Sequence, residues 1–116
     1  DFGNQAELEI VSFLQKDNFI ILEQNYKKFF GEIDIIATKN KTIVFVEVKA
    51  RKNNNISLFQ LVSRSKQEKI IKTAKDFLSI NPKFMNNYII RFDVALILKK
   101  IDNTFDIDYI ANAFQI

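Results

Sequence analysis

The stretch GEIDIIATKNKTIVFVEVKAR, from Gly31 to Arg51, decides the fold of this protein. Two runs rich in Ile and Val flank the polar residues Lys39 to Lys41, which is the pattern of a β-hairpin. Side chains alternate between the two faces of a strand. Alternation predicts one apolar face on each strand, formed by Ile33, Ile35 and Ala37 on the first and by Val44, Val46, Val48 and Ala50 on the second.

Charged side chains interrupt both strands of this hairpin. Matching the two apolar faces fixes the register, and the facing pairs are then Ile35 with Val46, Ile33 with Val48, Asp34 with Glu47, and Glu32 with Lys49. Facing carboxylates about 4.5–5.5 Å apart at Cβ destabilise a sheet, so we expect a divalent cation between Asp34 and Glu47. Lys49 points to the same side as Glu47 and would reach a phosphate or an attacking water beside that cation. The alternative is a solvent-exposed face on which these charges form surface ion pairs.

The rest of the sequence predicts a single α/β domain over residues 1–116. A first helix is predicted over 4–17 by the helical spacing of Ala6, Ile10, Phe13 and Leu14. The other expected elements are strands over 19–28, 30–38, 42–51, 88–98 and 104–110, a loop over 52–62, and a second helix over about 65–80. Ser65 and Glu68 predict a capping box at the start of that second helix. The order αβββαββ predicts a mixed central sheet with helices packed against it.

Glu7 is a further candidate for a site, because it lies near the centre of the buried face of the first helix. A carboxylate facing the core is costly unless it is paired or binds a metal. We therefore expect Glu7 to point towards Asp34 and Glu47. The alternative is a buried ion pair with Lys49 or Arg91.

Two other pairs of polar residues carry expectations. Lys66 and Gln67 begin the second helix, where free backbone N–H groups favour an anion, so a phosphate would dock there. The alternative for them is ordinary capping and solvation. Arg91 and Asp93 share one face of the fourth strand, and we interpret them as an internal ion pair.

The composition excludes several kinds of chemistry. The 116 residues include no Cys and no His, which excludes disulfides, thiolate metal sites and His-based catalysis. Any catalysis must use carboxylates, Lys, Tyr or Ser, and any metal would be a hard cation such as Mg²⁺ or Mn²⁺ on oxygen ligands. No run approaches the ~18 apolar residues of a membrane span, and no signal peptide is visible, so a cytoplasmic location is expected.

The formal net charge of +3 is unevenly distributed along the chain. Segment 49–75 carries one acidic residue, Glu68, and eight basic residues, namely Lys49, Arg51, Lys52, Arg64, Lys66, Lys69, Lys72 and Lys75. Such a segment is typical of a surface that faces a polyanion. A solvated, lysine-rich helix face is the alternative interpretation.

These residues together resemble the restriction-endonuclease-like superfamily of PD-(D/E)xK nucleases and, more closely, the YraN-like family with its Holliday junction resolvase-like fold. The matching stretches follow one another along nearly the whole chain: Gly3 to Glu7, GEIDIIA, VFVEVKAR, Lys66-Gln67, RFDVALI, and Asn112 to Phe114. The resemblance implies an αβββαβ core around a mixed sheet.

The resemblance also implies a metal-dependent endonuclease that hydrolyses DNA phosphodiester bonds. Asp34 and Glu47 would hold Mg²⁺ or Mn²⁺ with help from the Val48 carbonyl, Lys49 would position or deprotonate the attacking water, and Glu7 would support the metal. DNA would lie along the basic segment, on the residues Lys66, Gln67, Arg51, Lys52, Arg64 and Lys69. Branched or structured DNA is among the implied substrates, and cutting a junction would require a symmetric homodimer. Two alternatives stay open, namely a non-catalytic DNA-binding module and a protein-interaction domain on the same fold.

Overall fold

The structure, a computed structural model, describes residues 2–51 and 62–116. Its helices are α1 (Phe2–Lys16) and α2 (Arg64–Ile80), and a short 3₁₀ helix follows at Pro82–Met85. Its strands are β1 (Ile20–Lys28), β2 (Gly31–Lys39), β3 (Thr42–Arg51), β4 (Ile89–Lys99) and β5 (Phe105–Phe114). The expected α/β class and the expected order of elements are therefore confirmed.

The strands form one mixed sheet in the order β1-β2-β3-β4-β5. Neighbouring strands are antiparallel except β3 and β4, which run parallel and are connected through α2. A two-residue turn joins β2 to β3, and both of its residues, Asn40 and Lys41, have positive φ. This backbone matches the right-handed twist of the two strands. It also sets the predicted register, because Ile35 faces Val46 as expected.

The two helices cover opposite faces of the sheet. The α1 face buries Ile10 and Leu14 against the predicted apolar face of β3, including Val44 and Val46. The α2 face buries Phe77 among other rings, in a cluster that includes Phe45, Phe92 and Phe114. Within the described residues, neither helix is long and apolar enough to cross a bilayer.

Three details of the elements differ from the sequence-based expectation. Ser63, rather than Ser65, caps α2, because its Oγ accepts a hydrogen bond of 3.2 Å from the Lys66 N–H. Phe13 is not part of the buried stripe of α1 but is partly exposed and stacks on Tyr109. The fifth strand runs on to Phe114, past an irregularity around Asn112. The expected loop over 52–62 lies outside the described residues except for the buried Val62.

Candidate active site

Asp34 lies where β2 separates from β3. Pairing of β2 with β3 runs from Lys39 and Thr42 to Ile35 and Val46. Next to this end of the pairing, the Val48 N–H donates a hydrogen bond of 2.7 Å to the Asp34 side chain at Oδ2. A side-chain acceptor thus satisfies a backbone donor of β3. The expected backbone pairs beyond this point, Asp34 with Glu47, Ile33 with Val48 and Glu32 with Lys49, lie outside that ladder.

The alternation of side chains breaks at Asp34. Ile35 belongs to the apolar cluster on the α1 face, whereas Ile33 belongs to the cluster on the α2 face. The prediction that Ile33, Ile35 and Ala37 share one face is therefore wrong for Ile33. The neighbouring strand is also irregular, since Asn25 adopts φ 53° in the middle of β1. The break at Asp34 explains how its carboxylate can meet residues from both faces of the sheet.

The Asp34 carboxyl group lies within hydrogen-bonding reach of the Glu47 carboxyl group. The pKa of Asp34 rises to about 9, first because the carboxyl group is desolvated by burial, and next because of the hydrogen bond and the charge of Glu47. The charge of Glu7 raises it further, and only the Val48 N–H opposes the shift. Near neutral pH, Asp34 therefore keeps its proton in the absence of a cation. The expected approach of Asp34 to Glu47 is confirmed.

Glu47 is a buried acid that lies beside two lysines. The residue is only 5% exposed, and its Oε2 accepts no hydrogen bond within the part of the chain that the structure describes. Two ammonium groups lie nearby, with Lys66 Nζ at 3.1 Å and Lys49 Nζ at 3.7 Å from this atom. The distances are those of ion pairs, but neither ammonium is aligned as a hydrogen-bond donor. Glu47 Oε2 is therefore a buried acceptor with unused capacity beside two positive charges.

Glu7 approaches the same site from α1. Its charge acts on Asp34, as expected, and the expected alternative of an ion pair with Lys49 is not found, because Lys49 pairs with Glu47. With the Asn25 amide nitrogen turned towards Glu7, that nitrogen donates to both carboxylate oxygens at 3.1 and 3.2 Å. We did not expect Asn25 in the site. The available signal was an Asn inside a strand, a position where Asn is rare.

The basic residues around the site have different environments. Lys66 contacts the site directly through Glu47. Gln67 Nε2 donates 3.1 Å to the Val62 carbonyl, and Arg51 donates 2.9 Å to the Ala50 carbonyl. Arg64 and Lys69 are exposed on α2. Lys52 lies outside the described residues, and DNA contacts of all six residues stay predictions.

Arg91 and Asp93 form the predicted internal ion pair, at 2.9 Å. Asp93 is fully buried and also accepts hydrogen bonds from the Tyr109 hydroxyl and the Asn112 N–H. The hydrogen bond with Asp93 raises the pKa of Arg91, while burial and the charge of Asp93 raise the pKa of Tyr109. Glu7 makes no ion pair with Arg91 among the described contacts. This network belongs to the structure rather than to the acidic site.

The donor set fits a hard divalent cation at one pair of residues. Among residues 2–51 and 62–116, no three acidic side chains are already arranged around one point as metal ligands. Asp34 and Glu47, however, offer adjacent carboxyl groups: Asp34 holds a proton, and the buried Oε2 of Glu47 accepts no hydrogen bond from the described residues. A divalent cation would replace that proton and relieve the repulsion. Val48 adjoins this pair, and a role for its carbonyl remains an expectation.

Comparison with known proteins gives the family of the chain. A family model described as "Uncharacterised protein family UPF0102" matches residues 6–97. A UPF0102 protein of Clostridium botulinum is 43% identical over 99% of this chain and 94% of its own length. Those of Dictyoglomus thermophilum and Vibrio parahaemolyticus are 42% and 45% identical, over 98% and 97% of this chain and over 97% and 91% of their own lengths. The chain therefore belongs to the UPF0102 family, the YraN-like family that its motifs indicate.

Proposed function

We propose that this protein is a metal-dependent endonuclease that hydrolyses DNA phosphodiester bonds with Mg²⁺ or Mn²⁺. One observation carries the proposal: Glu47 lies beside Asp34 and Lys49, and its buried Oε2 accepts no hydrogen bond from the described residues. A purely structural cluster would be expected to satisfy that oxygen. Unused acceptor capacity next to the Asp34 carboxyl group, whose pKa is raised, favours a site that binds a cation.

Each residue around the cation would have its own role in hydrolysis. A divalent ion held by Asp34 and Glu47 would supply charge neutralisation at the phosphoryl oxygens and a lower pKa for water. Lys49, whose ammonium lies 3.7 Å from Glu47, would hold the attacking water or take its proton. Glu7 would support the cation from the α1 side. The absence of His from the chain is compatible with this mechanism, because no step requires an imidazole.

Lys66 supplies positive charge to Glu47 in the metal-free protein, at 3.1 Å. When a cation neutralises Glu47, the Lys66 ammonium becomes available for a phosphate at the start of α2. Arg64 and Lys69 project from the same end of this helix and are exposed to solvent. They would neutralise flanking phosphates, so DNA binding should weaken steeply with salt.

A non-catalytic DNA-binding module is the second candidate. The ion pair between Lys66 and Glu47 favours it, because an ammonium already neutralises the acid that would hold the metal. The absence of a ready three-acid cage among the described residues also favours it. The two candidates differ in whether a divalent cation changes what happens to bound DNA.

A cleavage screen separates the candidates. Single-stranded, duplex, flap and four-way DNA would be incubated with Mg²⁺ or Mn²⁺, and with EDTA as the metal-free control. The nuclease predicts cleavage of at least one substrate to a 5′-phosphate product, and loss of cleavage with retained DNA binding in Lys49→Ala. The matched control is Asp106→Asn, which removes an exposed acid paired with Lys100 on the far edge of the sheet.

Binding measurements complete this test. Calorimetry with Mn²⁺ should show a site in the unmodified protein that is lost in Asp34→Asn and kept in Asp106→Asn. Salt-sensitive DNA binding without cleavage under either metal would favour the binding module instead. No DNA affinity even at low salt would leave both candidates wrong and favour a protein-interaction domain.

A further inference from the structure

The turn between β1 and β2 exposes a pair of aromatic rings. Phe29 is 99% exposed, and its ring packs edge-to-face on Phe30 with 5.0 Å between centroids. The Lys72 ammonium lies 5.1 Å from the centroid of the Phe30 ring and holds that ring from the side of α2. The outer face of Phe29 is thus presented to solvent on a supported ring.

This turn is fixed in place by its contact with α2. Gly31 follows the two rings and lies so close to α2 that an added Cβ would be 2.4 Å from Thr73 Oγ1 and 2.9 Å from the Lys69 carbonyl oxygen. No side chain other than hydrogen fits there without a shift. The aromatic turn therefore has a defined position relative to α2, which also carries Lys66 of the acidic site.

The surroundings of the rings are basic. Four lysines lie on the adjacent ends of β1 and on the first half of α2, namely Lys27, Lys28, Lys69 and Lys72. The nearby acids are Asp76 and Glu32, and Asp76 is already engaged by the Tyr26 hydroxyl at 2.7 Å and by Lys28 at 3.6 Å. An excess of positive charge around an exposed ring suits an anionic partner with flat apolar groups.

The strand that follows the rings, β2, leads from this turn to the acidic site. Gly31 precedes Asp34 by three residues of β2, which is about 10 Å along a strand. This distance corresponds to roughly three nucleotide steps of 3.4 Å. Lys69 comes one helical turn after Lys66, which contacts Glu47. A strand with a phosphate at the acidic site would therefore bring a base a few nucleotides away to Phe29.

We propose that Phe29, supported by Phe30 and Lys72, is a stacking platform for an unpaired DNA base. Every base offers a flat π face, so such a platform recognises single-stranded or unpaired segments without reading sequence. A base inside a closed duplex is already stacked and cannot use it. The place of this base relative to a cut rests on the proposed nuclease function, but the stacking itself does not.

A tryptophan introduced at the platform tests the proposal directly. The chain contains no Trp, so Phe29→Trp provides a single indole fluorophore. In EDTA, titration with a 12-nucleotide oligothymidine should quench and shift its emission, whereas a dumbbell duplex closed at both ends should leave it unchanged at equal binding. Ile101→Trp is the matched control, because Ile101 is also fully exposed in a hairpin turn but lies at the opposite edge of the sheet.

Affinity measurements with the same oligonucleotide provide the second readout. Phe29→Ala should weaken binding about tenfold, within the range found for one stacked base. Phe29→Tyr, which keeps the ring, should bind as the unmodified protein does, and Phe29→Leu, which keeps apolar area without the ring, should behave as Phe29→Ala. Because Phe29 is exposed, thermal melts of these variants should coincide.

The outcomes separate this proposal from the nuclease function. Equal quenching of the two tryptophans, or equal affinity of Phe29→Ala and the unmodified protein, would overturn the stacking platform even if the protein cleaves DNA. Preferential quenching at position 29 without cleavage of any substrate would support the platform and leave the nuclease function wrong. An affinity of Phe29→Leu equal to that of Phe29→Tyr would show an apolar contact rather than stacking and would also overturn the proposal.

Discussion

Two buried carboxylates on neighbouring strands have opposite environments. Asp93 on β4 is 0% exposed, and both of its oxygens accept hydrogen bonds, from Arg91, Tyr109 and the Asn112 N–H. Glu47 on β3 is almost as buried, yet its Oε2 accepts no hydrogen bond from the described residues. The hydrogen bonds of the fold satisfy the first acid, whereas the second has ion pairs with Lys66 and Lys49 but no hydrogen bond to Oε2 from the described residues. The difference separates a carboxylate with a structural role from one that we propose to bind a cation.

The largest effect is expected from the unsatisfied acid. Glu47→Gln keeps the shape of the side chain but removes the charge that would hold the cation, so DNA cleavage should fall by about 10³-fold or more. Gel-based cleavage rates with Mn²⁺ would measure this. The metal-free variant should unfold at the same or a higher urea concentration than the unmodified protein, because a buried charge is removed. A large loss of stability would mean that Glu47, like Asp93, has a structural role.

The satisfied acid should show the reverse pattern. Asp93→Ala leaves Arg91 and the Tyr109 hydroxyl without their buried acceptor, and should lower the free energy of unfolding by about 3–5 kcal/mol. Urea denaturation followed by circular dichroism would measure the loss. At a temperature where the variant remains folded, Mn²⁺ binding should be nearly unchanged. Weakened Mn²⁺ binding by folded Asp93→Ala would mean that the two carboxylates are not independent.

Asp34 predicts a pH dependence with a definite sign. Its pKa rises from 3.8 in the unfolded chain to about 9 in the folded protein, so the folded state holds its proton more tightly. This contribution to stability is fully present below pH 3.8 and is lost as the pH rises towards 9. Without metal, the unmodified protein should therefore lose stability between pH 6 and pH 9 relative to Asp34→Asn.

The hydrogen bond from the Val48 N–H favours the charged form of Asp34 and limits the size of that difference. We expect Asp34→Asn to be more stable than the unmodified protein by about 1–2 kcal/mol at pH 9 in EDTA. Urea midpoints at several pH values would measure it. Parallel pH profiles for the two proteins would contradict the raised pKa.

The smallest effect is expected at the edge of the site. Glu7 and Glu9 lie two residues apart on α1, and only Glu7 acts on Asp34. Glu7→Gln should reduce cleavage about tenfold, because a supporting charge is lost while Asp34 and Glu47 remain, whereas the exposed Glu9→Gln should cleave at the normal rate. Cleavage rates at saturating Mn²⁺ would measure both variants. Equal rates for the pair would remove Glu7 from the site.

The sequence predicted most of the fold because its signals are local. Alternation on β3 gave the apolar face that packs under α1, and the Asn40-Lys41 turn gave the register of Ile35 with Val46. The approach of Glu7 and Glu47 to Asp34 was also predicted, because helical spacing and strand pairing both pointed to one place. Local patterns were less informative where the backbone departs from regular geometry.

Those departures explain what was missed. The break in alternation at Asp34 places Ile33 on the α2 face of the sheet. No residue type in the sequence indicates this break. Asn25 has an unusual φ and contacts Glu7 on α1, which lies 18 positions away in the sequence. Lys66 was expected to bind a phosphate. Its contact with Glu47 was not predicted, because the sequence does not show which side chains meet in the absence of a ligand.

Among the described residues, left-handed backbone angles occur at asparagine rather than at glycine, apart from one lysine. In the described residues, the non-glycine positions with positive φ are six asparagines and one lysine, namely Asn18, Asn25, Asn40, Lys41, Asn87, Asn103 and Asn112. Gly31 does not have positive φ, and it is needed for space rather than for conformation. Asparagine adopts left-handed backbone angles with modest strain. In the unfolded chain, an asparagine has fewer accessible backbone conformations than a glycine. The denatured ensemble is consequently narrower than that of a glycine-rich counterpart, so these positions lose less conformational entropy on folding than glycine would.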